Sequence, residues 1–400
     1  MLTDLYTLPT TANYPNAAQQ NDVLPVLYGD LTENSGGGVT NCPCLYVDAH
    51  IYGIAAHEIL SAGAGNEFYV YENGVLTEKS YEVNPAYTGD AGDVIAIVTF
   101  LEAPDEPVSI ACKGKLDADG NLITNPVDVI IDLLTDDTTF DPTTVAKARQ
   151  TADDLGYTCA GAIVQDTTFA VLLTQIMSTF LGDWYINGDK ALVLAFDSEE
   201  TIYQVSGFLK RSRCEWQRAT RRLENIANQI QVNYAVAFVT IDKRFSKGFR
   251  ADNYYMTDDG DSTKDIASQN VYGTRLAPLE LNWTRNTTAA QVIQARAVEK
   301  FANPIWLVDI TGHSPYNMMV EKGDFVVFDC PFLRDESGEK LQAQIGRVIE
   351  IEKDLDNLTI SYKLQDTGRF FPASPIQYNG DHTYGDGSYY GGQRFRDVTA

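Results

Sequence analysis

Alternation of apolar and polar positions is sharpest near the end of the chain. Leu358, Ile360, Tyr362 and Leu364 alternate with Thr359, Ser361, Lys363 and Gln365, the period-2 pattern of a strand buried on one face. Upstream, Ile345, Ile349 and Ile351 alternate with the carboxylates Glu350 and Glu352, and Asp354-Leu-Asp-Asn357 supplies turn residues between the two runs. Gly323-Asp324 opens a further apolar run, Phe325 to Phe328. The spacing predicts a compact antiparallel β-module from Val320 to Asp366, a small meander or barrel. It contains no paired nucleophile and base.

Short apolar runs of the same kind recur earlier. Val23–Asp30, Cys44–Val47, Ile51–Ile54 and Ile95–Phe100 read as strands, Ser35–Gly38 as a flexible loop, and Asn73-Gly74 as a two-residue hairpin turn. Val108–Cys112 is expected to pair across Asp117–Asn121 with Leu122-Ile123. Asp117, Asp119 and Asn121 have the spacing of calcium ligands. Leu122 stands where that loop needs glycine, however, and Asp128 where it needs glutamate, so a hairpin turn is the better reading.

The periodicity then changes to that of helices. Asn125-Pro126 and Asp141-Pro142 pair an N-cap with a proline at the first helical position, and Gly156 marks a C-terminal stop. Between Asp166 and Gly182, Phe169, Leu172, Leu173, Ile176 and Phe180 share one helical face, a core stripe rather than a cofactor groove. Asn187-Gly188 predicts a second hairpin. Ile226–Phe238 reads as a long strand, Lys243–Lys264 as a polar loop and Thr288–Ala302 as a helix stopped by Asn303-Pro304, after which Trp306–Thr311 leads into the final module. The aperiodic ends, 1–20 and 372–400, read as extended arms.

A length of 400 residues predicts two to four domains. No apolar run is long enough for a membrane helix, and Met1-Leu-Thr-Asp-Leu-Tyr6 lacks the pattern of a secretory signal. The net charge of −25 argues against nucleic acid bound by the general surface, and permits a surface that nucleic acid slides past. Six scattered cysteines form no disulfide framework. Cys42-Pro-Cys44 with His50 and His57 is the one candidate metal set, although its spacing matches no common zinc pattern, and buried thiols are the alternative. Lys210, Arg211, Arg213, Arg218, Arg221 and Arg222 form the one basic cluster, suited to nucleic acid, to acidic subunits, or to salt bridges within a loop. Phosphate-loop, dinucleotide, nucleophile-elbow and zinc-protease motifs are absent, so no cofactor is expected and a structural protein is favoured over an enzyme.

Several of these stretches, in this order, resemble the central hub proteins of bacteriophage tail baseplates, a family related to the base of type VI secretion spikes. They are Pro25-Val-Leu-Tyr-Gly-Asp30, the hairpin and helix from Gly114 to Leu134, and the Gly156–Phe196 unit. Ser268-x-x-x-Tyr272-Gly273-x-Arg275 and the Glu321-Lys-Gly-Asp324 opening of the final module complete the set. The resemblance implies a mainly β fold with α+β insertions, two small antiparallel β-barrels joined by α+β domains. Its domains would be an arm at 1–20, a barrel at 21–120, an α+β domain at 121–200, a connecting β/helix domain at 201–304, a second barrel at 305–371 and an arm at 372–400.

On that resemblance, three chains would form a pseudo-sixfold ring. The ring would join the hexameric tail tube or distal tail protein above to a spike or fibre protein below. It would surround a channel for the tape-measure protein and for DNA passing without specific binding. The expected place is the virion tail tip, assembled in the host cytoplasm, with no stable membrane insertion. Gly273 and Arg275 would position a tight loop and an ion pair at a domain or subunit contact, with the basic cluster a further contact. The chain ends soon after the second barrel, which implies that any spike is a separate protein. The alternative is a tail-associated cell-wall or polysaccharide hydrolase, or a glycan-binding component, with Asp258, Asp259 and Asp261 in a cleft.

Overall fold

Backbone torsions follow the turn residues of the sequence. Asn73 at φ 47° and Gly74 at φ 80° form the left-handed pair of a type I′ turn. Asn125 caps a helix by accepting from the N–H of Val127, and Asp141 caps another by accepting from Thr143 and Thr144. Gly156, at φ 64°, ends that second helix in the left-handed conformation of a C′ residue. The computed structural model describes residues 5–6, 24–32, 42–47, 50–61, 67–88, 92–134, 138–196, 205–209, 214–221, 223–235, 254–255, 263–313, 319–328, 343–354, 356–357 and 359–370. For 5–6, 216–217, 221, 254–255, 313 and 368–370 it describes the backbone alone. Ser35–Gly38, most of both arms, and most of the loop from Lys243 to Lys264 lie outside the described residues.

In chain order the first elements are β1 (Leu5–Tyr6), β2 (Val26–Tyr28), β3 (Cys42–Pro43), β4 (Leu45–Tyr46), β5 (Ile51–Ala55), β6 (Tyr69–Glu72) and β7 (Val75–Leu76). Then come β8 (Tyr81–Thr88), β9 (Val94–Phe100), β10 (Val108–Ala111), α1 (Pro126–Leu133), α2 (Pro142–Asp154), β11 (Gly161–Ile163), β12 (Thr167–Thr168) and α3 (Phe169–Thr179). The middle holds β13 (Asp183–Ile186), β14 (Leu192–Ala195), β15 (Val205–Leu209), β16 (Cys214–Arg221), β17 (Gln229–Tyr234), β18 (Tyr254–Tyr255), α4 (Ile266–Tyr272) and β19 (Leu276–Leu281). The chain closes with α5 (Thr287–Phe301), β20 (Trp306–His313), β21 (Phe325–Phe328), β22 (Gln344–Asp354) and β23 (Thr359–Phe370). Among the described residues, 43% are in strands and five helices are short, so the fold is mainly β. These elements divide between two bodies, Met1–Trp184 with Asn228–Glu299, and Tyr185–Ala227 with Lys300–Ala400.

In the first body, two four-stranded sheets, ordered β3-β10-β6-β7 and β4-β5-β9-β8, enclose one core. Ile54, Val70, Val98, Ile110 and Leu27 are its fully or almost fully buried members. Only Cys44 separates β3 from β4, so the chain bends there from one sheet into the other. β9 is buried on both faces: Ala96, Val98 and Phe100 face this core, whereas Ile95 and Ile97 pack with Leu24 on the other side. β10 pairs with β3 and β6 rather than with Leu122-Ile123. Val108, Ser109, Ile110 and Ala111 are all buried, so this strand takes a central place with a neighbour on each side. The hairpin across Asp117–Asn121 instead joins Lys115-Leu116 to Leu122-Ile123. Its turn uses the Asp117 carboxylate to accept the N–H groups of Asp119 and Asn121, at 2.9 and 2.8 Å.

α1, α2 and α3 follow the sequence reading closely. Leu172, Leu173, Ile176, Met177 and Phe180 are buried, so the apolar stripe of α3 is core. Gly29, at φ 70°, allows the β2 end to pass close to the following layer: a Cβ there would stand 2.0 Å from the Cys159 carbonyl oxygen. A three-stranded sheet, β18-β17-β19, completes this body, with β17 and β19 parallel. The crossover between them contains α4, as a parallel connection requires. β18 is a short strand within the stretch expected to be loop. Gln294 of α5 anchors the helix through its Nε2, which donates to the Ile230 carbonyl at 2.8 Å.

The second body is organised by a six-stranded, nearly closed barrel-like sheet of order β15-β21-β22-β23-β20-β16. Its edge strands, β15 and β16, are consecutive in sequence. Val308, Ile310, Val326, Phe328, Val348, Ile360, Tyr362 and Leu364 fill its core, so the alternation read at Ile360–Leu364 sets the buried face; Leu358 lies outside the described residues. The module differs from the sequence expectation in having one parallel pair, β15 with β21. β15 arrives from far upstream through a long connection, so no hairpin constrains its direction. A register shift between Val348 and Glu350 turns the end of β22, which leaves Ile351 packed against the same core as Val348.

Turn chemistry again fixes the corners. Asp354 accepts from Asn357 Nδ2 at 2.7 Å and from the N–H groups of Asn357 and Asp356, both at 3.0 Å, and these bonds hold its carboxyl below the usual range. Gly323, at φ 93°, lies against the Tyr185 ring, where a Cβ would stand 2.3 Å from the ring carbons. The Asn187-Gly188 turn is wider than a two-residue hairpin. The left-handed residue is Lys190, at φ 63°, while the Asn187 side chain accepts from the N–H groups of Asp189 and Ala191.

Candidate functional site

The loop that carries Gly273 and Arg275 is built around a residue far from it in sequence. Asp265 caps α4 by accepting from the Ser268 N–H at 2.9 Å, and α4 stops at Gly273, φ 73°. Asn228, fully buried, lies beneath this turn. Its Nδ2 donates to Ser268 Oγ at 3.1 Å and to the Gly273 carbonyl at 2.9 Å. Its Oδ1 accepts from the Arg275 N–H at 2.7 Å, and its backbone N–H donates to the Arg275 carbonyl at 3.1 Å. The Asn228 carbonyl in turn accepts from the Asp265 N–H at 2.9 Å. One buried amide therefore satisfies both ends of the turn, which a smaller or apolar residue would leave unpaired.

The Arg275 guanidinium is drawn back into the same loop, its Nε donating to the Tyr272 carbonyl at 3.4 Å. Gly273 is exposed, and nothing lies within 4 Å of where its Cβ would be, so its φ alone favours glycine. Sequence reasoning found the two loop residues and missed Asn228. Its partners lie in a helix and turn well downstream, and the local pattern Ile226-Ala-Asn228 gives no sign of them.

His50 and His57 each bond to backbone groups rather than to Cys42 or Cys44. His57 uses both ring nitrogens: Nε2 accepts from the Leu27 N–H at 2.9 Å, and Nδ1 donates to the Glu58 carbonyl at 2.8 Å. Burial lowers its pKa to about 4, so the ring is neutral at pH 7. His50 Nδ1 lies 3.2 Å from the Phe100 carbonyl. Cys42 and Cys112 are buried in the first core, and burial pushes both thiols up, Cys112 to about 12. Among the described residues, no group of three or more His, Cys, Asp or Glu is placed to hold a metal ion.

The Tyr28-Gly29-Asp30 motif is also fastened by charge. Lys113 lies 3.7 Å from the Asp30 carboxylate. Arg285, 1% exposed, sits close enough to Asp30 and Cys42 to feel both, while burial lowers its pKa to about 10. Tyr28 Oη and Lys115 Nζ both donate to Asp132 of α1, at 2.5 and 2.8 Å, which ties β2 to the helix.

Of the basic cluster, Arg218 is exposed on β16 and Arg221 ends that strand. Lys210, Arg211, Arg213 and Arg222 lie outside the described residues, as do Asp258, Asp259 and Asp261. An open recess of about 570 Å³ occurs in the first body, lined by Glu72, Val75, Leu76, Glu78, Leu101 and Glu102 among others. No helix among the described residues is long and apolar enough to cross a membrane. No protein-family model matches the chain, and no curated protein is significantly similar to it.

Proposed function

We propose that this chain is a structural hub of a bacteriophage tail tip or baseplate. Three copies form a pseudo-sixfold ring between tail tube and spike or fibre, around a channel for DNA and the tape-measure protein. The observation that carries this reading is the presence of two β-modules of comparable size in one chain. One is the six-stranded, nearly closed sheet of β15, β16 and β20–β23. The other is the pair of four-stranded sheets that share a core and are linked through Cys44. We read this pair as the first of two barrels. Two barrels per chain let a threefold assembly present six similar surfaces, which matches a sixfold tube to a threefold tip. The charge of −25 suits a channel wall, since like charge lowers affinity for phosphates.

Imaging of the purified chain by electron microscopy tests the proposal. Class averages with six densities about a threefold axis are expected; monomeric particles, or hydrolysis of cell-wall glycans by such particles, would overturn it.

A further inference from the structure

The recess in the first body lies where β7 ends and where the chain leaves β9. β7 is an edge strand of its sheet, and Val75 and Leu76 are 71% and 52% exposed. Leu101, just beyond β9, is 78% exposed. These three apolar side chains line one recess with Glu72, Glu78 and Glu102. Lys79, the only cation of the lining, is already held by Glu72 and Asp105, each at 3.1 Å. Glu78 and Glu102 have no ion pair among the described residues. The surface therefore combines exposed apolar side chains with an excess of carboxylates.

An arginine-bearing segment complements such a surface. The guanidinium meets the carboxylates, while the aliphatic stem and any neighbouring aromatic ring cover the exposed apolar side chains. Two such recesses would repel each other, which rules out a two-fold contact between them. Each recess must instead meet a different surface of another copy, and such a contact, repeated head to tail until it closes, generates a ring. In a chain with 55 acidic and 30 basic residues, cations are concentrated between Lys210 and Arg222. Within that stretch β16 is an edge strand with Arg218 exposed.

We propose that the recess of Glu72, Val75, Leu76, Glu78, Leu101 and Glu102 docks the arginine-bearing edge strand β16 of a second copy of this chain. The inference rests on the hub reading, because it presumes self-assembly. It adds the surface through which successive copies meet and the charge that gives the contact its direction.

Sedimentation velocity on the full chain at about 0.1 M salt tests it, where exposed charges still interact over roughly 10 Å. The variant Glu78→Lys with Glu102→Lys is expected to weaken self-association at least tenfold with an unchanged thermal melt. Adding Arg218→Glu and Arg221→Glu in the same chain is expected to restore it. A reversed variant that assembles like the natural chain overturns the docking site. Loss without recovery in the fourfold variant overturns β16 as the occupant. A natural chain that is monomeric at every concentration overturns the hub reading itself, whereas an assembling chain indifferent to these charges overturns only this contact.

Discussion

The two β-modules reach similar cores by different routes. In the first, the strands from β3 to β10 come from one continuous stretch, with short turns such as Asn73-Gly74 and the bend at Cys44 between them. In the second, β15 and β16 come from one part of the chain and β20–β23 from another, and a parallel pair joins β15 to β21. Short connections set the β4-β5, β6-β7 and β8-β9 pairs of the first, while β5-β9, β6-β10 and β3-β10 join more distant strands of the same stretch. The second needs long-range pairing, with loop-closure entropy spent before its core forms. A module of the second kind is expected to be the slower of the two to form.

The glycines sharpen this contrast. Gly29→Ala would drive a Cβ into the Cys159 carbonyl, a backbone atom that cannot swing aside. Gly323→Ala would meet the Tyr185 ring, which can tilt, although the φ of 93° remains strained. Gly29→Ala is therefore expected to cost more than about 4 kcal/mol, and Gly323→Ala about 2–4 kcal/mol, in denaturant unfolding. Equal losses would show that the two corners are equally rigid.

A second difference is in pH response. His57 belongs to the first module, and its folded pKa of about 4 lies below the usual 6.5. As pH falls through this window, the unfolded chain takes up the proton first. This contribution to stability is complete above about pH 6.5 and declines towards pH 4, by up to about 3 kcal/mol. Urea unfolding from pH 7 to 4 should show the decline, and His57→Gln should flatten it. An unchanged slope in the variant would mean that other groups carry the acid sensitivity.

The smallest expected effect separates the two Asn-Gly turns. Gly74 is left-handed at φ 80°, so Gly74→Ala should cost about 1 kcal/mol. Gly188 has no such φ, and a Cβ there meets only the mobile end of Glu321, at 2.8 Å. Gly188→Ala is therefore expected to change stability by less than about 0.5 kcal/mol. Matched melting curves decide between this and two equivalent hairpins.

These turns also show how far the sequence could be read. The caps at Asn125 and Asp141, the stop at Gly156, the type I′ turn at Asn73-Gly74 and the core stripe of α3 were legible because each depends on neighbours a few residues away. The pairing of β10 and the parallel arrival of β15 were not, since partners distant in sequence decide them; the Lys190 turn is local, but the Asn187-Gly188 pair pointed to a tighter one. Gly273 and Arg275 were singled out by the resemblance, on the motif Ser268-x-x-x-Tyr272-Gly273-x-Arg275. Asn228, which holds their loop, was invisible because its bonds cross to residues 265–275. Exposure of Val75, Leu76 and Leu101 was equally hidden: alternation marks apolar positions, not which of them the fold leaves uncovered.

Self-association is the property on which the hub proposal rests most, because the two β-modules are proposed to act together in a threefold ring. Light scattering coupled to size-exclusion chromatography measures it directly. The hub reading predicts a particle of three times the 44.2 kDa chain, stable on dilution. A single species at 44.2 kDa across the concentration range would contradict it.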